Sequence, residues 1–355
     1  MTRLRSRRRA RPRVLFVTSA LDAVGGIPSY SRAAIEALSG SADVEVLDLR
    51  LTGSLAGQGR GLARAVAALV RYRPDLVVLG HVGLGPIGMA WRCLGGRYVV
   101  IAYGIEVWGP PSRLVHQSLR RAHAVWAISS WTHTEVLRTA PGANMGPVLG
   151  GNIGERFFQE HEPSGGPFRI LFVATLADLL RKGLDVLVAA GQTVATEHPI
   201  EIRVAGSGSA SAALPDYLAQ HDPAGVVRLL GRIDERTLLA EYRRASVVVL
   251  VSRFRRGEGP QGEGLGLVTL EAAAAGTPAV VGSRGGSIDT VVAGRTGFII
   301  EPGTPDELAE VLRRLASDPE ETAQMGARAR EFVREEHSFS AFAGRVRTGL
   351  AEALS

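Results

Sequence analysis

The sequence predicts an α/β protein built from two doubly wound domains in tandem, facing across a cleft. Three observations carry that expectation. Short apolar runs alternate with helical patterns along nearly the whole chain, often with glycine turns between them, the pattern of parallel sheets covered on both faces. The alternation restarts after the breaker-rich stretch Pro163-Ser164-Gly165-Gly166-Pro167. The length of 355 residues suits two domains at roughly 100–200 residues each.

Taken in order, strands of the first half are expected at 13–18, 44–48, 76–79, 98–102 and 124–128. Helices are expected at 29–38, 62–72, 87–94, 113–122 and 130–138. The second half opens on a strand at 168–173, followed by strands at 201–205, 226–229, 247–251, 279–281 and 297–300. Its helices fall at 184–197, 214–220, 235–245, 267–275 and 287–292, and the chain ends in helices at 305–316, 319–335 and 340–354. Ligands of such sheets bind outside the carboxyl ends of the strands, so a cleft between the halves is the expected site.

Composition narrows the function classes. Apolar residues make up 45% and charged residues 21%, which excludes a disordered or fibrous chain. No apolar run is long enough to span a membrane. The single cysteine, Cys93, excludes a disulfide scaffold and a Cys-rich metal site. The eight histidines form no HExxH or HxH pair, so no bound metal is expected.

Seven of the 41 basic residues are arginines within residues 1–13, and no acid precedes Asp22, so the remaining chain balances 34 basic against 35 acidic residues. The arm reads as a solvated leader or as a weak electrostatic tether to an anionic surface. The apolar stretch behind it is too short for a secretory signal. The chain thus reads as cytoplasmic, with peripheral contact at the inner membrane face left open and no nucleic-acid partner expected. Lys182 is the only lysine, against 40 arginines, which asks what a compact ammonium does there that a guanidinium would not.

Glycine loops come next. The pattern GxGxxG occurs at Gly83-x-Gly85-x-x-Gly88 and at Gly257-x-Gly259-x-x-Gly262. Pro86 interrupts the first and the second lies in a polar loop, so neither fits a nicotinamide or flavin site. Gly25-Gly26 is better placed, directly after the first strand, where the backbone can approach a ligand. A plain strand-to-helix turn is the competing reading.

Residues 261–303 carry the most information. Gly264 and Gly266 flank the entry to a small-residue helix that Gly276 and Pro278 stop. Free N–H groups at that helix start, with its dipole, suit a pyrophosphate. Glu263 lies just before the helix and Glu271 about one turn inside it. Carboxylates beside a phosphate site serve as acceptors for sugar hydroxyls. Arg181-Lys182-Gly183 follows the first strand of the second half, the corresponding position for positive charge. Together these residues describe a nucleotide-sugar site.

Glu263 and Glu271 in E-x7-E spacing, Ala-Ala-Ala-Ala-Gly-Thr-Pro behind them, Gly285-Gly286 and Gly294-x-Thr296-Gly297-Phe298 resemble the family-4 retaining glycosyltransferases of the GT-B fold. The Gly262–Val268 stretch is similar to phosphatidylinositol mannosyltransferases. Gly25-Gly26, Lys182-Gly183 and Gly206-Ser207-Gly208 arrive in family order, so the resemblance spans nearly the whole chain. It implies two Rossmann-like domains: an acceptor-side domain over 13–162 and a nucleotide-sugar domain over 163–335. A basic disordered arm over 1–12 precedes them, and a helix over 336–355 crosses back to the first.

The resemblance also implies roles. Glu271 binds ribose hydroxyls, Glu263 the donor sugar, and amides around Gly266 and Leu267 hold the diphosphate, with Gly264 and Leu265 also donor-binding. Lys182, helped by Arg181, neutralises the leaving diphosphate; Gly206 and Gly208 shape the base pocket. Gly25 and Gly26 border donor phosphate and acceptor, and His81, Tyr103 and Glu106 lie on the acceptor side. Tyr103-Gly104-Ile105-Glu106 replaces the family's His-Gly-x-Asp/Glu, and Ala174-Thr175-Leu176 its Gly-Arg-Leu. Leu176 to Lys182 is longer than usual.

The expected function is transfer of a hexose, with retention, from GDP-mannose or a UDP-hexose to a hydroxylated acceptor, without cofactor or metal. The alternatives are a catalytically silent sugar-nucleotide-binding subunit and a sugar-nucleotide epimerase. Arg60, Arg64 and Arg71 fall on one helical face, and Arg113, Arg120 and Arg121 form a second basic group. Each reads either as a solvated face or as a contact with an anionic membrane carrying a lipid acceptor.

Overall fold

The computed structural model describes residues 11–19, 21–23, 25–50, 55–110, 112–162, 165–176 and 181–355. The arm over 1–10, Pro163, Ser164 and the side chain of Arg60 lie outside this description.

The first half holds strands β1 (Arg13–Thr18), β2 (Asp43–Asp48), β3 (Leu76–Leu79), β4 (Tyr98–Ala102), β5 (Ala124–Ala127) and β6 (Met145–Val148). They form one parallel sheet in the order β2-β1-β3-β4-β5-β6. Around it lie α1 (Gly26–Ser39), α2 (Leu55–Tyr72), α3 (Gly85–Cys93), α4 (Ile105–Trp108), α5 (Arg113–Arg121) and α6 (Ser130–Thr139). The second half holds β7 (Phe168–Val173), β8 (Ile200–Ala205), β9 (Val227–Gly231), β10 (Val247–Leu250), β11 (Ala279–Gly282) and β12 (Gly297–Ile300). Their parallel order is β12-β11-β10-β7-β8-β9. The helices here are α7 (Leu184–Ala195), α8 (Leu214–His221), α9 (Glu235–Arg244), α10 (Leu267–Ala274), α11 (Pro305–Ser317), α12 (Pro319–Phe332) and α13 (Phe339–Leu354).

Strand order reverses between β1 and β3 in one sheet and between β7 and β10 in the other. The loops leaving those strands frame a crevice at each reversal. Strands β3, β4, β5 and β10 are buried at every position, which is why they read as continuous apolar runs.

Local differences from the expected elements have physical causes. Met145-Gly146-Pro147-Val148 looks like a loop, yet it forms β6 because an edge strand tolerates proline. Helix α1 begins at Gly26, earlier than expected, with Pro28 in its first turn, where a missing N–H costs nothing. The expected helix at 287–292 is a 3₁₀ turn over Gly286–Thr290. The helix expected to reach 335 leaves α geometry after Phe332 and passes into a π turn, Val333–His337.

That π turn leads back across the molecule. His337 Nδ1 accepts from the Gly151 amide at 2.9 Å, and its Nε2 lies 3.1 Å from the Asp289 carbonyl oxygen. Burial, with help from Arg345, pushes the His337 pKa down to about 4. The ring is therefore neutral near pH 7, with its proton on Nε2. Helix α13 then packs on α1, where Phe342 meets Tyr30 edge-on at 5.2 Å. Phe342 is fully buried, a contribution on the order of 1.5–3 kcal/mol. One apolar core joins Phe16, Tyr30 and Trp126 of the first lobe to Leu171, Tyr242 and Leu270 of the second.

Candidate functional site

A cavity of about 400 Å³ opens between the carboxyl ends of the two sheets. Gly26, Ile27, Tyr30, Tyr103, Ile105, Trp108 and Ile128 line it from the first lobe. Val173, Ala174, Thr175, Arg181, Lys182, Leu250 and the stretch from Gly262 to Val268 line it from the second. The structure thus gathers Gly26, Arg181, Lys182, Glu263, Gly264, Leu265, Gly266 and Leu267 on one cavity.

Helix α10 aims its start at this space. Gly266 caps it in left-handed geometry, φ 87° and ψ 51°, a conformation glycine reaches without a Cβ penalty. No side chain caps the helix, so the first-turn amides and the positive end of the dipole are presented to the cavity. The preceding loop is held from both sides. The Gly286 amide donates to the Glu263 carbonyl at 2.7 Å. A Cβ on Gly264 would stand 2.5 Å from the Tyr103 carbonyl oxygen, so the second lobe lies directly against the first there.

Lys182 Nζ donates to Glu263 Oε2, and both side chains are largely buried, 13% and 17% exposed. The ammonium and the carboxylate neutralise each other on the cavity wall. Gly183, left-handed at φ 80°, starts α7 directly behind them. The Arg181 carbonyl accepts from the Arg253 amide at 3.0 Å. Among the described residues no acid forms an ion pair with the Arg181 side chain. Residues 177–180, between Leu176 and this pair, lie outside the described residues.

Glu271 is on α10 but outside the cavity lining. Its Oε2 accepts from the Tyr242 hydroxyl at 2.8 Å. Burial pushes its carboxyl up from 4.5 to about 7, although the Tyr242 hydroxyl and Arg156 act to lower it. Gly206 and Gly208 also lie outside the lining. Gly206 backs onto the loop after β7 so closely that a Cβ would stand 1.9 Å from the Ala174 carbonyl oxygen. Gly208 donates its amide to Ser211 Oγ at 2.8 Å.

On the first lobe, Gly25 caps α1 and leaves its neighbour Gly26 on the cavity. Tyr103 lines the cavity, with its phenol pKa pushed well up by burial. Glu106 Oε1 accepts from the Tyr103 amide at 3.1 Å and lies 3.7 Å from His81 Nε2. The other Glu106 oxygen is buried without a hydrogen-bond partner. Glu106 and His81 stand behind the cavity wall, not in it.

Of the expected arginine face on α2, Arg64 and Arg71 are exposed and also bonded to the protein. Arg64 donates to the carbonyls of Asp48 and Leu49 at 3.1 and 3.3 Å, and Arg71 pairs with Glu45. Val66 and Val70 of that helix are exposed. Sequence reasoning missed Tyr30, Trp108 and Tyr242. Tyr30 follows Gly25-Gly26 by one helical turn, and Trp108 follows Glu106 by two residues. Nothing in the sequence marks Tyr242 as the partner of Glu271. Among the described residues no cluster of three or more His, Cys, Asp or Glu forms a metal site, and no helix is long and apolar enough to cross a membrane.

Comparison with known proteins gives the same reading of the second half. A family model described as glycosyl transferases group 1 matches residues 154–332. A GDP-mannose-dependent monoacylated alpha-(1-6)-phosphatidylinositol monomannoside mannosyltransferase of Corynebacterium glutamicum is 34% identical over 167 residues, 47% of this chain and 43% of that protein. A glycogen synthase of Mycobacterium tuberculosis is 35% identical over 173 residues, 48% of this chain and 39% of that one. Each match spans less than half of the relative. In three dimensions the sucrose-phosphate synthase of Thermosynechococcus elongatus superposes with a TM-score of 0.80 at 19% identity, covering 97% of this chain and 100% of that one. The fold they share is GT-B.

Proposed function

Because the chain belongs to the group 1 glycosyl transferases, we propose that it moves a hexose from a nucleoside diphosphate sugar to a hydroxyl acceptor, with retention at the anomeric carbon. One observation carries the reading: Lys182, Arg181, Glu263 and the open start of α10 converge on a single cavity between the lobes.

In the reaction the anomeric C–O bond to the diphosphate breaks and the acceptor oxygen takes the anomeric carbon. The transition state is oxocarbenium-like on the sugar and gathers negative charge on the departing diphosphate. That charge is met by the α10 amides, fixed before the donor arrives, and by Lys182 and Arg181. The Lys182–Glu263 ion pair supplies an exchange of partners. The diphosphate replaces Glu263 beside Lys182, and sugar hydroxyls replace Lys182 beside Glu263. Two cationic side chains and a helix dipole do the neutralising, so the reading calls for no metal and no cofactor. Glu271 takes the ribose hydroxyls from one turn further along α10.

GDP-mannose is the favoured donor, because the similar Corynebacterium glutamicum protein is named for it; UDP-hexoses are the alternative. A lipid-linked acceptor at an anionic membrane fits the exposed Val66, Val70 and Leu114 beside Arg71 and Arg113. Retained binding to anionic vesicles after deletion of residues 1–12 and reversal of these arginines would contradict that placement.

Incubation with a panel of labelled sugar nucleotides tests the activity. Transfer or slow donor hydrolysis is expected. Tight donor binding without turnover would mark a silent binding subunit, and epimer formation an epimerase.

A further inference from the structure

The second glycine pattern, Gly257-x-Gly259-x-x-Gly262, turns out to shape a structure of its own. Residues 252–262 leave β10 and project from the second lobe as a short arm. Arg255 and Gln261 exchange backbone hydrogen bonds at 2.9 and 3.0 Å across it. Gly257 and Gly259, both left-handed at φ 87° and 61°, make the turn at its tip.

The arm is docked on the first lobe. Phe254 stands edge-on to two indoles, Trp108 at 5.3 Å and Trp131 at 5.0 Å. The Gly257 amide donates to the Trp108 carbonyl at 3.1 Å. Arg256 forks onto both carboxylate oxygens of Glu135, with its Nε 2.9 Å from Oε2, and lies over the Phe254 ring at 5.0 Å. The Glu135 side chain is only 2% exposed. Burial would raise its pKa, but hydrogen bonds from Arg256 and Arg138 outweigh that and hold it below the usual carboxylate range. Such a forked, buried pair fixes geometry as well as charge.

The arm ends at the site. Gly262 touches both rings: a Cβ there would stand 2.7 Å from Phe254 and 3.1 Å from Trp108. Trp108 forms part of the first-lobe wall of the cavity, and the residue after Gly262 is Glu263. We infer that the arm is the positioning element of the reaction, in which Phe254 and Arg256 grip the first lobe and set the gap between Trp108 and Glu263 where the sugar is held. This rests on the proposed transfer reaction. It assigns to Phe254, Arg256 and Glu135 a role that involves no contact with the nucleotide.

The role separates nucleotide affinity from turnover, since the diphosphate site lies within the second lobe and the gap spans both. The full chain and its Phe254→Ala, Arg256→Ala and Glu135→Gln variants are compared by calorimetry with GDP and UDP. Release of nucleoside diphosphate is then followed from GDP-mannose and UDP-glucose. The expected result is a Kd for GDP or UDP within about twofold of the unsubstituted chain, with turnover lowered about tenfold or more. Phe254→Trp, which keeps an aromatic edge between the indoles, restores most of the turnover. Arg256→Ala and Glu135→Gln together cost no more than either alone. Turnover unchanged in Phe254→Ala and Arg256→Ala overturns the inference. So does a nucleotide affinity that falls in step with turnover, because the arm then only supports the second lobe. If the unsubstituted chain takes up neither GDP nor UDP, the reading of the site itself fails.

Discussion

Nucleotide uptake should be coupled to the protonation of Glu271. In the folded chain its carboxyl is pushed up from 4.5 to about 7, mainly by burial. A shift of that size makes ionisation of the buried group cost about 3 kcal/mol more than in water. Ribose hydroxyls are donors, so they select the ionised carboxylate and pull the value back down. Binding then releases close to one proton at pH 6 and about a tenth of one at pH 8, and affinity falls about tenfold from pH 8 to pH 6. Calorimetry with GDP and UDP in buffers of different ionisation enthalpy measures the proton release. The Glu271→Gln variant serves as reference, because the nucleotide's own phosphate titrates nearby and glutamine still accepts from Tyr242. The same coupling has a sign for stability. The folded value lies above the unfolded one, so stability from this group is greatest below pH 4.5 and is lost as pH rises through about 7. Glu271→Gln is expected to raise Tm at pH 8 and leave it unchanged at pH 4.5. Equal proton release by the variant and the unsubstituted chain at pH 6 would refute the reasoning.

Three further outcomes are expected. Lys182→Ala should lower turnover by a factor of about 10²–10³, the usual effect of removing one preorganised donor to a developing anion, with Tm little changed; near-normal turnover would end the assignment of Lys182. Tyr242→Phe removes a hydrogen bond that lowers the Glu271 pKa, so the pH midpoint of nucleotide binding should move upward, as a pH series of Kd values will show. Gly264→Ala sets a methyl 2.5 Å from the Tyr103 carbonyl oxygen, which forces the lobes apart; turnover should drop sharply while GDP and UDP still bind.

Much of this was legible in the sequence because it is written locally. Buried parallel strands such as Leu76–Leu79 appear as unbroken apolar runs. Gly266 announces a helix start that needs a left-handed residue, and a lone lysine among 40 arginines singles out Lys182. What stayed hidden depends on distant partners. Tyr242 reaches Glu271 across 29 residues and Gly286 braces Glu263 from the next loop, and neither pairing leaves a periodic trace. On α2, Arg64 and Arg71 stay exposed while turning to carbonyls and to Glu45, partners that the helical spacing does not reveal. The glycines of the arm matched a dinucleotide pattern by composition alone. Their use, a tight turn that carries Phe254 to two tryptophans, depends on the opposite lobe.

A crystal structure of the chain soaked with GDP, and another with UDP, bears most directly on how the cleft works. The diphosphate is expected at the amides of Gly266 and Leu267, with Lys182 turned from Glu263 onto a phosphate oxygen and Glu271 on the ribose. Nucleotide density away from the start of α10, or Lys182 still fastened to Glu263 with the diphosphate bound, would contradict the account.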